Sequence, residues 1–128
     1  ADERLADHIE AVGVATFIDE WLANPLFAGL SDATAMRADR LRNTPAGLAT
    51  SLRATGTGTQ TPLWDRLGEI ECPVLVLAGE HDAKFTDLGH RLVDGLPRAE
   101  LVTIPGAGHS VHLEQPGATV EAIAAWLR

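Results

Sequence analysis

An aspartate and a histidine in the second half of the chain have the placement of an acid–base pair. Asp82 ends the stretch GEHD (79–82), and His109 ends the stretch PGAGH (105–109). Each stretch follows directly on a short apolar run that predicts a β-strand. A carboxylate that accepts a hydrogen bond from one imidazole nitrogen fixes the tautomer and leaves the other nitrogen available as a base. The two residues therefore predict general-base chemistry.

Each member of this pair also has a purely structural interpretation. An aspartate at a strand-to-helix junction commonly caps the helix, and a loop histidine is commonly satisfied by local hydrogen bonds. Their occurrence on consecutive strand ends favours the catalytic interpretation of Asp82 and His109. We interpret His81 and His112 as structural. The five histidines lack the HExxH or cysteine-pair spacing of zinc sites, so we do not expect a zinc site.

The strands that position this pair are short and strongly apolar. VLVLAG (74–79) is typical of a strand covered on both faces of a parallel sheet, and AELVTI (99–104) predicts a second strand. Helices are predicted over 83–96 and 117–128. This alternation predicts a right-handed crossover that joins neighbouring parallel strands, which lie about 4.8 Å apart. Because reactive groups collect beyond the carboxyl ends of such strands, the acid and the histidine should meet at one edge.

The first half of the chain has a helical pattern. Apolar residues recur at helical spacing over the first 22 residues, and Asn24-Pro25 ends that pattern. Ser31 predicts the N-cap of a helix over 32–42, and Thr44-Pro45 predicts the start of the next helix. A turn-rich segment then leads to LWDRLGEI (63–70), which predicts a short amphipathic helix.

Composition restricts the class of protein. The 128 residues are 45% apolar and 22% charged, with ten basic and eighteen acidic residues and a net charge of −8. Such a charge argues against nucleic acid or an anionic membrane as a partner, whereas an anionic small molecule remains compatible with a few arginines in a pocket. The single cysteine, Cys72, cannot form an internal disulfide. Without a long apolar run or a signal pattern we expect a cytoplasmic protein, and the start without Met predicts a partial or processed chain.

Two long motifs carry a family resemblance. CPVLVLAGEHD (72–82) and AELVTIPGAGHSVHLEQP (99–116), with the terminal helix, resemble the C-terminal end of α/β-hydrolase-fold enzymes, whose loops carry the acid and the histidine of a triad. The order Asp then His agrees with that fold. FIDEWLANPLFAGL (17–30) and the stretch from RADRLR to WDRL (37–67) further resemble the 2-succinyl-6-hydroxy-2,4-cyclohexadiene-1-carboxylate synthases, the lyases of menaquinone biosynthesis.

The resemblance implies a partial α/β-hydrolase fold. Residues 1–62 would be a helical cap, and residues 63–128 the last two parallel strands of the core with their helices; the N-terminal strands and the nucleophile elbow would be absent. The implied reaction eliminates pyruvate from a succinylated, enolpyruvyl-bearing hydroxycyclohexene carboxylate, without metal or cofactor. It also implies that Arg40, its neighbour Arg42 and Trp21 contact this anionic substrate. Taken alone, the arginines would be the solvated face of a helix, and the tryptophan a core residue.

The serine of such a triad is missing. None of the three serines, Ser31, Ser51 and Ser110, stands in a G-x-S-x-G motif. We therefore expect a complementary N-terminal segment to carry the nucleophilic serine, and expect the chain alone to be inactive and stable only with that segment or by self-association. Two alternatives remain: a related esterase or C–C bond hydrolase, and a catalytically inactive interaction module.

Overall fold

The computed structural model describes all 128 residues, and they form two compact units. The first unit comprises Ala1–Asn24 and Ala35–Thr61, and the second comprises Pro25–Thr34 and Pro62–Arg128. The first unit is helical, whereas the second contains the sheet. The segment 25–34 therefore belongs to the strand-bearing unit although it lies within the helical half of the sequence.

The first unit is built on two packed helices. Helix α1 (Asp2–Leu22) bends at Gly13, where φ is 81°, and helix α3 (Pro45–Thr55) packs against it. Between them lies the short α2 (Arg37–Arg40), and a 3-10 turn (Thr57–Thr59) follows α3. The predicted start of α3 is confirmed, because Thr44 Oγ1 accepts from the Gly47 amide at 3.1 Å with Pro45 in the first turn. The core of this unit consists of three buried residues of α1, namely Ile9, Phe17 and Ile18. Leu48 and Leu52 of α3 pack against them.

An arginine on α3 holds several carboxylates of α1. Arg53 donates hydrogen bonds to Glu3 at 2.9 Å, to Asp7 at 2.6 Å and to Glu10 at 3.0 Å. The bond from Arg53 lowers the pKa of the Glu10 carboxyl below its ordinary value. Exposed ion pairs of this kind add little stability individually, so the cluster mainly fixes how the two helices align.

The helix predicted over 32–42 is wrong over most of its length. Ser31 Oγ does accept from the Thr34 amide at 3.2 Å, as an N-cap would, but residues 32–36 form turns. The Ser31 amide also donates to Thr34 Oγ1 at 2.9 Å, and such local side-chain bonds compete with helical hydrogen bonding. Met36 then adopts a left-handed conformation with φ 49°, so α2 begins only at the next residue.

The second unit contains the predicted strand–helix–strand–helix order. Its elements are, after 3-10 turns at Pro25–Phe27 and Trp64–Glu69, β1 (Val74–Gly79), α4 (Ala83–Gly95), β2 (Ala99–Ile104), α5 (Val111–Glu114) and α6 (Pro116–Trp126). The strands are parallel, and α4 packs on both. The segment predicted as a helix over 63–70 is a 3-10 turn instead.

Apolar surface remains uncovered in the second unit. The sheet has only two strands, and the first four residues of β1 are half-buried rather than buried. Val120 on α6 is 64% exposed, and Leu127, which follows the end of α6, is 71% exposed. Buried positions concentrate at the carboxyl ends of the strands, at Ala78, Ile104 and Ala107. No helix is both long enough and apolar enough to cross a bilayer.

Candidate active site

The two strands end together, and the loops that follow them are joined by hydrogen bonds. Gly79 and Ile104 are register partners at the last position of the parallel pair. Beyond them, the Glu80 amide donates to the Ile104 carbonyl at 3.1 Å, and the His81 amide donates to the Ala107 carbonyl at 2.8 Å. Residues 105–110 are called the histidine loop below. These bonds fix the histidine loop against the segment that leads to Asp82.

Gly79 permits this close approach. A Cβ atom at this position would overlap the backbone carbonyl oxygens of Ala107 and Gly108. A flexible side chain could move aside, but a backbone carbonyl cannot do so without displacing the loop. The histidine loop therefore crosses directly over the end of β1, and this crossing depends on glycine.

Asp82 and His109 are in direct contact at this edge of the sheet. His109 Nδ1 lies 2.7 Å from Asp82 Oδ2, and Asp82 is only 7% exposed. The other carboxylate oxygen, Oδ1, accepts from the Phe85 amide at 3.3 Å and so caps α4. Asp82 therefore both caps the helix, through Oδ1, and pairs with His109, through Oδ2. Because the start of α4 holds Oδ1, the carboxylate is oriented with Oδ2 toward the imidazole.

The ring of His109 packs against two phenylalanine rings and lines a cavity. Its centroid lies 4.4 Å from that of Phe85 and 6.1 Å from that of Phe27. The side chain is 29% exposed, and its ring makes one hydrogen bond within the chain, through Nδ1. His109 and Asp82 line a cavity of about 590 Å³ together with His81 and residues 25–29 and 106–115 in part. With Nδ1 bonded to a carboxylate, Nε2 is the nitrogen available to accept a proton.

Glu114, a residue that no sequence motif indicated, supports the histidine loop. Glu114 Oε2 accepts from the Gly108 amide at 2.7 Å, and Glu114 Oε1 accepts from the Ser110 amide at 2.9 Å. These two amides flank His109. The amides of a glycine-rich loop need hydrogen-bond acceptors, and an acidic residue follows this loop in the sequence. That pattern alone does not identify which carboxylate accepts from the amides.

No serine of the chain hydrogen-bonds to the His109 ring. Ser31 hydrogen-bonds with Thr34, and Ser51 lies on α3 in the first unit. Ser110 is buried beside His109 in the chain, yet the histidine ring bonds only to Asp82. The pair therefore resembles two members of a triad without its nucleophile. No group of three or more His, Cys, Asp or Glu side chains is arranged to hold a metal ion.

The residues expected to bind substrate lie in the first unit. Trp21 and Arg40 both line an apolar cavity of about 260 Å³ inside that unit. Arg40 Nε donates to the Ala35 carbonyl at 2.8 Å, which holds its guanidinium in place. Arg42 does not line this cavity; its side chain is 83% exposed and lies 3.7 Å from Asp39. The structure thus brings Trp21 and Arg40 together and separates Arg42 from them.

Comparison with known proteins identifies similar sequences along the chain. A model of the alpha/beta hydrolase family matches residues 2–122. A Bacillus subtilis (strain 168) protein assigned as a 2-succinyl-6-hydroxy-2,4-cyclohexadiene-1-carboxylate synthase is 41% identical over 120 residues, which are 90% of this chain and 44% of that protein. The synthase of the same name from Salmonella paratyphi B is 31% identical over 130 residues, covering 100% and 50% respectively. The chain spans about half the length of these curated relatives.

Solved structures also superpose on nearly the whole of this chain. The structure of MenH from S. aureus superposes with a TM-score of 0.94 and 32% identity, covering 98% of this chain and 49% of that one. A thermophilic esterase from Thermogutta terrifontis, with malate bound, superposes with a TM-score of 0.78 and 26% identity, covering 99% and 48%. Both solved structures therefore contain the fold of this chain in about half of their length.

Proposed function

The chain belongs to the alpha/beta hydrolase family, and we propose that it is part of a 2-succinyl-6-hydroxy-2,4-cyclohexadiene-1-carboxylate synthase. The observation that carries the proposal is the contact between His109 Nδ1 and Asp82 Oδ2, at 2.7 Å, at the carboxyl ends of two parallel strands. The similarity of nearly the whole chain to proteins of that name supports the choice of reaction. The proposed reaction eliminates pyruvate from an anionic hydroxycyclohexene carboxylate.

In the proposed mechanism His109 is the general base. Its Nε2 takes the proton of a serine hydroxyl, which in turn removes a proton from the ring of the substrate. The electron pair left on carbon forms a ring double bond as the C–O bond to the enolpyruvyl group breaks. The leaving enolate takes up the proton held by the His109 imidazolium and is released as pyruvate. Asp82 stabilises the imidazolium that forms and keeps Nδ1 protonated. The step consumes no water, which distinguishes it from hydrolysis.

The serine and the anion-binding groups are the further parts of the proposal. Since no serine of this chain bonds to His109, the nucleophile would come from a complementary N-terminal segment, and the chain alone would be inactive. Arg40 would bind a substrate carboxylate, because a guanidinium offers a planar pair of donors, with Trp21 beside it. Their shared cavity in the first unit supports this assignment, whereas the exposure of Arg42 makes it the weaker candidate.

A hydrolase that cleaves an ester is the second candidate function. The specific observation in its favour is the superposition on the Thermogutta terrifontis esterase with a TM-score of 0.78. The same Asp82–His109 pair would serve both reactions, since each begins with proton removal from a serine hydroxyl. The two candidates differ in whether water enters the product.

Product analysis distinguishes the lyase from the esterase. It uses the intact protein, which is this chain together with the proposed N-terminal segment. For the lyase we expect one pyruvate per substrate consumed and a ring product whose mass is that of the substrate less one pyruvic acid, with no water added. An esterase would cleave a simple aryl ester and release no pyruvate. His109→Ala should abolish either activity, whereas His112→Ala, at an exposed position on α5, should retain it. Full activity in His109→Ala, or neither activity in the intact protein, would refute the proposal.

A further inference from the structure

We propose that Glu114 is a positioning residue that holds His109 in register with Asp82. Its two carboxylate oxygens accept from the backbone amides on either side of the histidine, Gly108 at 2.7 Å and Ser110 at 2.9 Å. This inference rests on the proposed function of His109 as the base. Its structural part, the control of the ring by the carboxylate, can be measured without any turnover.

The geometry is more specific than a helix cap. Ser110 is the N-cap of α5, and a glutamate of that helix that bonds back to the Ser110 amide alone would be a local capping contact. The second oxygen reaches the Gly108 amide, which lies outside the helix on the other side of the histidine. A single half-buried carboxylate therefore fixes the peptide groups that set both the position and the direction of the His109 side chain.

Gly29 shapes the space in which this carboxylate lies. A Cβ atom at residue 29 would overlap Glu114 Oε2, so the segment 25–34 approaches the glutamate at a position without a side chain. Gly29 does not have a positive φ, so alanine there is not strained by its backbone. Since the carboxylate is the far end of a flexible side chain, it would move and lose its amide bonds. Gly29→Ala thus perturbs Glu114 without changing it.

The consequence for the chemistry follows from how sharply proton transfer depends on position. A shift of about 1 Å in a catalytic group costs about a hundredfold in rate. Without its acceptor, the histidine loop would lose two amide bonds and His109 would sample orientations in which Nδ1 leaves Asp82. Substrate binding by other residues would not change, so the loss should fall on kcat rather than on KM.

The test uses the intact protein in four variants. Glu114→Ala and Gly29→Ala should each lower kcat about tenfold to a hundredfold, with KM within about twofold of the parent. Glu114→Gln keeps one oxygen acceptor and should recover part of the loss. Gly117→Ala is the matched control, because a methyl group there meets nothing within contact distance. Thermal melts accompany each variant, and ¹H–¹⁵N NMR follows the His109 Nδ1–H proton that bridges to Asp82.

The NMR signal separates this inference from the proposed function. We expect the Nδ1–H signal to broaden or disappear in Glu114→Ala and Gly29→Ala while both variants melt within a few degrees of the parent. An unchanged signal and an unchanged kcat would overturn the proposal. A drop in activity that only follows the unfolded fraction, with no rescue by Glu114→Gln, would overturn it too. If the parent releases no pyruvate, the proposed function fails, and the NMR comparison still decides whether Glu114 positions the ring.

Discussion

Substitutions of Asp82 separate its two structural contacts from its proposed role in fixing the tautomer of His109. One carboxylate oxygen caps α4 and the other holds His109 Nδ1. In Asp82→Asn the amide oxygen can still accept from Phe85, and the amide nitrogen donates to His109 Nδ1. That nitrogen is then unprotonated, so Nε2 carries the hydrogen and cannot act as a base. In Asp82→Ala both contacts are lost.

The expected magnitudes differ between stability and rate. Asp82→Ala loses an N-cap worth about 1 kcal/mol and leaves an imidazole donor unpaired at a cost of about 1 kcal/mol, the low end because the ring is partly exposed. The sum of about 2 kcal/mol corresponds to a fall in Tm of roughly 8 °C. Asp82→Asn keeps the cap and a ring contact, so its Tm should fall by less than about 4 °C. Both variants should lose about 10³–10⁴-fold in kcat, because either change removes the carboxylate that fixes the tautomer.

The assay compares thermal melts and pyruvate release in the intact protein. Asp94→Asn, at an exposed position of α4, controls for the loss of one negative charge on the same helix. Equal loss of stability in the alanine and asparagine variants of Asp82 would refute the separation of cap and pair. Retention of more than about a tenth of the parent kcat in Asp82→Asn would refute the argument that the carboxylate sets the tautomer.

Two further predictions concern the loop crossing and the acid response. Gly79→Ala should destabilise the intact protein by about 3 kcal/mol, because the new methyl group overlaps backbone carbonyls of the histidine loop; a Tm within about 2 °C of the parent would contradict this. In the first unit, the hydrogen bond from Arg53 lowers the pKa of Glu10 from its ordinary value of 4.5, so the pair stabilises the fold above about pH 4.5 and this contribution disappears as the pH falls through the lowered pKa. Arg53→Gln should therefore lower Tm at pH 7 and have a diminishing effect toward pH 3, and an effect that grows in acid would contradict the assignment.

The strand ends were predictable from the sequence because they obey a geometric rule. A continuous apolar run, a helical pattern and a second apolar run imply a parallel pair, and parallel strands end at one edge. A polar residue that follows the first run is then expected to lie near a polar residue that follows the second. Asp82 and His109 satisfied that condition, and the structure places them 2.7 Å apart although they are separated along the chain by a whole helix.

The segment from Ser31 to Arg40 shows where local patterns were insufficient. Ser31 has the residue type of an N-cap, and the residues after it include good helix formers. The cap contact to Thr34 does form, but the left-handed conformation of Met36 interrupts the helix before it extends. Capping signals mark where a helix can start, whereas the tertiary contacts of the following residues decide whether it continues.

The sequence by itself determined the order of strands and helices in the second unit and the two residues that meet at the strand ends, because periodicity and chain order constrain them. Its motifs indicated the α/β-hydrolase fold through their family resemblance. Only the tertiary structure decided that Asp82 uses both of its oxygens, that Gly79 lies under the histidine loop and that Glu114 holds that loop beside Gly29. Such contacts join residues by close approach of backbone and side-chain atoms. They have no repeating pattern along the chain, so their partners become defined only when the chain is packed.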